Sequence, residues 1–121
     1  MSKFENELIL CIVNAGYADM VMDAAKEQGA RGGTILNARG TANKESEKIF
    51  GVTIEPEKEI VMILVPASIK DNVLHALYKR VGLGTAGQGI AFSLPVDNVV
   101  GVKKVAPAEK GGEWPVISGQ Q

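Results

Sequence analysis

Residues 82–89 read GLGTAGQG, and the first six match G-x-G-x-x-G, the spacing of the tight turn beneath a dinucleotide pyrophosphate. That chemistry needs a strand, then the glycines, then a helix, so that the phosphates meet the positive end of the helix. Here a helical pattern precedes the glycines and a strand-like one follows, which points the negative end of a helix dipole at the loop. The dinucleotide match is coincidental. A Walker-type loop fails as well, because Gly89 is followed by Ile90 and not by Lys and Ser or Thr. Two readings stay open: a helix stop with a turn, or a loop whose backbone N–H groups converge on an anion.

Few other residues have the type and company for chemistry. Cys11 lies within ELILCIV and reads as a buried, inert thiol; as the single cysteine it excludes an internal disulfide and suits a reducing cytoplasm. His75 is the single histidine and has no cysteine at metal-ligand spacing, so no metal site is expected. One histidine cannot complete a Ser-His-Asp or Cys-His set, and no carboxylate pair has a catalytic spacing, so the chain is expected not to be an enzyme. Net charge is −1 with no Lys/Arg cluster, which removes the electrostatic footprint of a nucleic-acid binder. No apolar run approaches the roughly eighteen residues of a membrane span. The opening MSKFENEL is acidic where a secretory signal would be basic and then apolar. The expectation is a cytoplasmic protein with no direct membrane insertion.

The elements that hold the glycine run come in duplicate. Residues 7–13, ELILCIV, and 59–65, EIVMILV, are continuous apolar runs of the kind that form central strands. Asp19 matches Asp71, Val21 matches Val73, Met22 matches Leu74 and Ala24 matches Ala76, all at one offset. In the first unit Tyr17, Val21, Ala24, Ala25 and Gln28 form a helical stripe; in the second Ile69, Val73, Ala76 and Leu77 repeat it. Ser68 is placed to cap the second helix, with Asp71 in its first turn; Asn14 or Asp19 is placed to do the same for the first. Gly29 and Gly82 are stops, glycine being cheap in the left-handed cap conformation. Strands are expected again at residues 33–38 and 90–94.

Two βαβ units in tandem predict an α+β, ferredoxin-like sandwich: a four-stranded antiparallel sheet with two helices on one face. The chain's 121 residues, 45% of them hydrophobic, allow one such domain, taken as residues 1–105, and an extended tail at 106–121. The strands are apolar on both faces, so the face without helices needs a partner, and the chain is expected to oligomerise. Residues 39–59, RGTANKESEKIFGVTIEPEKE, form a long polar connection of the kind that is usually functional; within it KIFGVTI is apolar enough to extend a strand or form a ribbon.

In these parts the chain resembles the PII nitrogen-regulatory signalling proteins over about residues 7–104. The resemblance rests on the tandem units, GGTILNARG at 32–40, the polar connection after it, VP at 65–66, and GQGIAFSLPVDNVVGVKK at 87–104. It implies a homotrimer that binds an adenine nucleotide (ATP, ADP or AMP) between subunits. It also implies that residues 39–59, the counterpart of the family's T-loop, engage a protein target such as a membrane transporter or an enzyme. By position Gly87 and Gly89, with Gln88 between, would turn backbone N–H groups to the phosphates, and Thr85 would stand beside them in the nucleotide site. Thr34, Gly40 and Leu64 would line the adenine end, and Lys103 would add charge from a neighbouring chain. Arg39, Lys44, Glu45, Glu47 and Lys48 would face the partner.

The departures bear on the ligand. Ile90 stands where the family has a phosphate-binding lysine, Gly101 where it has a C-loop base, and Thr85 where it has an earlier lysine of the glycine loop. A lost charge-assisted contact belongs to a class worth about 1.5–3 kcal/mol, so a triphosphate should bind more weakly than in other members, or the ligand should carry fewer phosphates. The only tyrosines, Tyr17 and Tyr78, are on helices, which excludes uridylylation at the family's T-loop tyrosine. The glutamine that chelates Mg²⁺ and 2-oxoglutarate has no counterpart at a defined position, so neither is implied here. The alternative to the PII-like reading is a ferredoxin-like trimer that binds a metal or another small ligand, or that acts as a scaffold. On the sequence alone Gly89→Asp separates the two, abolishing nucleotide binding in the first and leaving the trimer intact in the second.

Overall fold

The computed structural model describes residues 4–41, 48–49, 52–53 and 56–101. The elements run β1 (Asn6–Asn14), α1 (Ala18–Glu27), β2 (Thr34–Arg39), β3 (Lys48–Ile49), β4 (Val52–Thr53), β5 (Glu57–Pro66), α2 (Ala67–Val81) and β6 (Ile90–Val96). The main sheet has the order β2-β5-β1-β6 with every neighbouring pair antiparallel, which is the expected α+β ferredoxin-like sandwich. Within KIFGVTI, β3 and β4 pair antiparallel in a sheet of their own.

Alternation along the strands sorts the side chains into two layers. Ile9, Cys11 and Val13 of β1 and Val61, Ile63 and Val65 of β5 are fully buried against the helices. There they meet Val21, Ala24 and Ala25 of α1 and Val73, Leu77 and Val81 of α2, the stripes that the helical spacing marks. Small alanines on α1 let it lie close to the sheet, while leucine and valine fill the space under α2.

The opposite sheet face is apolar and has no helix. Leu8 stands between Leu64 and Leu94, Leu10 between Met62 and Phe92, and Ile12 between Ile60 and Ile90. Phe92 is 42% exposed and Leu94 46%. Large apolar side chains gain about 1.5–3 kcal/mol each when fully buried, so this face represents a large unrealised stabilisation. The edge strand β2 adds exposed Leu36, opposite Ile60, while Ile35, opposite Val61, is exposed at the sheet edge on the helix side.

Local capping departs from the sequence reading in three places. Helix α2 starts at Ala67 with Pro66 at its N-cap, so Ser68 lies inside the first turn and Asp71 beyond it. Proline pre-sets the backbone angle at which the helix is entered, and Asp71 instead lies 3.2 Å from Lys70. Neither Asn14 nor Asp19 caps α1 through its side chain, although Asp19 does lie in the first turn. The cap comes from another strand: Glu59 Oε1 accepts the Gly16 and Ala18 N–H groups at 3.0 Å each. Gly29 has the left-handed conformation (φ 107°) expected of a stop, but Gly82 is extended, with φ −64° and ψ −178°. Its glycine is required for space, since a Cβ there would lie 2.5 Å from the Tyr78 carbonyl oxygen.

Candidate functional site

The glycine run closes on itself at the end of α2. Gly82 and Gly89 form a parallel bridge, and the Gly89 N–H donates to the Val81 carbonyl. Between them the Thr85 N–H and hydroxyl both donate to Gly82 O, at 2.9 and 2.8 Å, and the Gln88 N–H donates to Thr85 O at 3.1 Å. Gln88 is the one non-glycine described with a positive φ (47°), so the run carries left-handed backbone at one of its two polar residues. The loop is therefore ordered from within.

This assigns the donors. The Gln88 N–H and the Thr85 hydroxyl have acceptors inside the loop and the Gly89 N–H has one at the end of α2, whereas among the described residues the Gly84, Ala86 and Gly87 N–H groups have none. Gly89 has a packing duty: a Cβ on it would lie 2.4 Å from Val81 O and 2.9 Å from Val13 Cγ1. Gly89→Asp would disturb the fold itself, so it does not separate a nucleotide site from a scaffold. Gly84, with nothing within 4 Å of such a Cβ, is the position where a carboxylate can be introduced without strain.

Beside this loop lies a cleft of about 920 Å³ lined by Ala15, Asn37, Ala38, Arg39, Glu57, Lys58 and Glu59. It sits where β1 and β2 end and β5 begins. Arg39 is opposite Glu57 in the register and Asn37 opposite Glu59, so two bases and two acids share the rim. Arg39 closes β2 here; the connection proper runs from Gly40, whose N–H donates to Pro56 O at 2.8 Å. Lys58 Nζ donates to Asn14 Oδ1 at 2.8 Å. Sequence reading passed over Lys58, a single lysine in EPEKE that carries no motif, and took Asn14 only as a candidate helix cap. Their antiparallel register is what brings them together.

Thr34 and Leu64 are elsewhere. They line a second cleft, about 580 Å³, at the other end of the same sheet, together with Asn6, Leu8, Met62, Pro66, Val99, Val100 and Gly101. By register Thr34 is level with Met62 and Leu10, and Leu64 with Leu8, so at about 3.3 Å per residue they stand roughly 13 and 20 Å along the sheet from Asn14, where β1 meets the glycine loop. The residues expected around one ligand thus fall into two groups: Gly40, Thr85, Gly87, Gln88 and Gly89 at one end, Thr34 and Leu64 at the other. Lys44, Glu45, Glu47 and Lys103 lie outside the described residues; Lys48 is placed in β3, opposite Thr53.

Cys11 is buried, and burial pushes its thiol up from 9.0 to about 11, a protonated and unreactive state at neutral pH. Among the described residues there is no group of three or more His, Cys, Asp or Glu side chains that could hold a metal ion. No described helix is long and apolar enough to cross a membrane.

Comparison with known proteins agrees with the geometry. The family model for nitrogen regulatory protein P-II matches residues 6–105. Two relatives from Methanococcus maripaludis, each described as nitrogen fixation nifHD region glnB-like protein 1, are 28% identical over 98 residues, covering 80% of this chain and 93% of theirs. Among solved structures, Arabidopsis thaliana PII bound to citrate matches with a TM-score of 0.61 at 25% identity, over 91% of this chain and 90% of that one.

Proposed function

The chain belongs to the nitrogen regulatory protein P-II family, and from that premise we propose that it is a signalling protein that binds an adenine nucleotide between the subunits of a homotrimer. It would report occupancy through residues 39–59 to a protein target in the cytoplasm, such as a membrane transporter or an enzyme. The observation that carries the reading is the division of the site. Gly40 and the glycine loop stand by one cleft of the sheet and Thr34 and Leu64 line another, an arrangement in which a second copy would bring the two groups to one ligand. The apolar sheet face and the exposed Ile35 and Leu36 supply surface for such copies to meet.

The charge at the glycine-loop end favours few phosphates. Residues 82–89 carry no cation, and the cleft beside them pairs Arg39 and Lys58 with Glu57 and Glu59. ADP or AMP, with fewer negative charges to compensate than ATP, suits that balance. Within the loop the Gly84, Ala86 and Gly87 N–H groups are the donors open to a phosphate. That the Arabidopsis relative is described as bound to citrate is in keeping with a small anionic effector.

Calorimetry with ATP, ADP, AMP and cyclic nucleotides tests the reading. Heat from at least one, lost in Gly84→Asp with the oligomer unchanged, is the expected result. No heat from any of them at millimolar ligand overturns it.

A further inference from the structure

Asn14 uses all of its polar groups. It ends β1 directly opposite Lys58 of β5. Its backbone N–H donates to Gly87 O at 2.9 Å and its side-chain amide to Ala86 O at 3.0 Å, so one residue holds two successive carbonyls of the glycine loop. Its side-chain oxygen accepts from Lys58 Nζ at 2.8 Å, and its backbone oxygen accepts the Tyr17 N–H at the start of α1. The Lys58 stem then crosses Gly40: a Cβ on Gly40 would lie 3.1 Å from Lys58 Cε. Gly40 is in turn bonded to Pro56, across the base of the long connection. Contacts therefore run without a gap from the glycine loop, through Asn14 and Lys58, to both stems of residues 41–55.

We propose that Asn14 is a positioning residue that couples the two loops through its carboxamide. A carboxamide bonded at both its oxygen and its nitrogen has one favoured orientation. Releasing the oxygen frees its side-chain torsions and weakens the bond from its nitrogen to Ala86. Anything that draws the Lys58 ammonium away from Asn14, such as an anion in the adjoining cleft, loosens residues 86–87; a change in the loop acts on Lys58 and Gly40 in return. Such coupling is reciprocal by linkage. The inference deepens the nucleotide reading and takes from it only the identity of the ligand; the coupling is present without one.

The experiment needs no nucleotide, so its failure leaves the calorimetric test untouched, and the converse also holds. Amide hydrogen exchange is followed by NMR in the full chain for wild type, Lys58→Met, Asn14→Ala and the double variant. The Gln88 and Gly89 amides report the loop and the Leu77 amide reports global opening. Lys58→Met touches no loop residue, yet exchange at Gln88 and Gly89 is expected to rise roughly two- to tenfold, the scale of one weakened hydrogen bond. In the Asn14→Ala background the same lysine change is expected to add nothing. Asn14→Asp offers a second cycle should the alanine variant fold poorly. It keeps an acceptor for Lys58 and loses the donor to Ala86, so it frees the loop while Gly40 stays protected, and Lys58→Met adds nothing at Gln88 or Gly89 there either. Equal effects of Lys58→Met with and without Asn14, or none in wild type, overturn the proposal. So does a rise at Gln88 and Gly89 matched by an equal rise at Leu77.

Discussion

Gly89 lies against Val81 so closely that its N–H bonds the Val81 carbonyl and a Cβ would stand 2.4 Å from that oxygen. The contact closes the glycine loop at its base, and both partners are backbone, so neither can move aside alone. Gly89→Ala is expected to cost about 1–3 kcal/mol, the usual penalty for overpacking. Gly84→Ala, in open space, should stay within about 0.5 kcal/mol of wild type. Denaturant midpoints of the two variants check this; equal values would show that the loop yields at its base.

Glu59 caps a helix that is remote from it in sequence. Glu59→Ala removes the acceptor of two N–H groups at the start of α1 and is expected to destabilise by about 1–2 kcal/mol. Glu59→Gln keeps an oxygen there and should cost less than the alanine change. Ser68→Ala, inside the first turn of α2, is expected to be near neutral. Thermal unfolding of the three variants gives the order.

Burial of Cys11 makes stability depend on alkaline pH. The folded-state value, about 11, lies above the unfolded 9.0, so the folded chain keeps its proton where the unfolded chain has released it. Stability is then complete below pH 9, falls as pH rises from 9 towards 11, and changes no further from this group above that. Cys11→Ala should flatten the fall between pH 9 and 11, measured by unfolding at a series of pH values. In the native wild type a thiol reagent at pH 7 should react slowly, and the rate should rise sharply in denaturant.

The apolar sheet face predicts self-association. A charge at Phe92 or Leu94 stands on that face and away from the core under the helices. Phe92→Lys is expected to shift a trimer towards monomer with the helical content kept, as read by light scattering and circular dichroism. A monomeric wild type, or a Phe92→Lys variant with unchanged mass, would exclude this face as the interface.

The fold was legible in the residues because its signals are local and repeated. Two apolar runs and two helical stripes at one offset define two βαβ units, and continuous apolar strands announce a sheet that wants cover on both faces. The candidate site was legible only in part. Glycine spacing located the loop at 82–89, but the duties of its members depend on what lies across the fold: Val13 against Gly89, and Asn14 on the Ala86 and Gly87 carbonyls. Ser68 looked like a cap since local rules allow it, and Pro66 took the position. The α1 cap could not be read at all, because Glu59 reaches it only by strand pairing.

By itself, then, the sequence determined the element order, the antiparallel ferredoxin-like sheet and the family resemblance, all properties of spacing along the chain. Tertiary structure alone decided that Thr34 and Leu64 lie at the far end of the sheet from Gly40 and the glycine loop, and that Asn14 meets Lys58. Antiparallel register sets both, since it joins residues far apart in sequence at distances that no local pattern encodes.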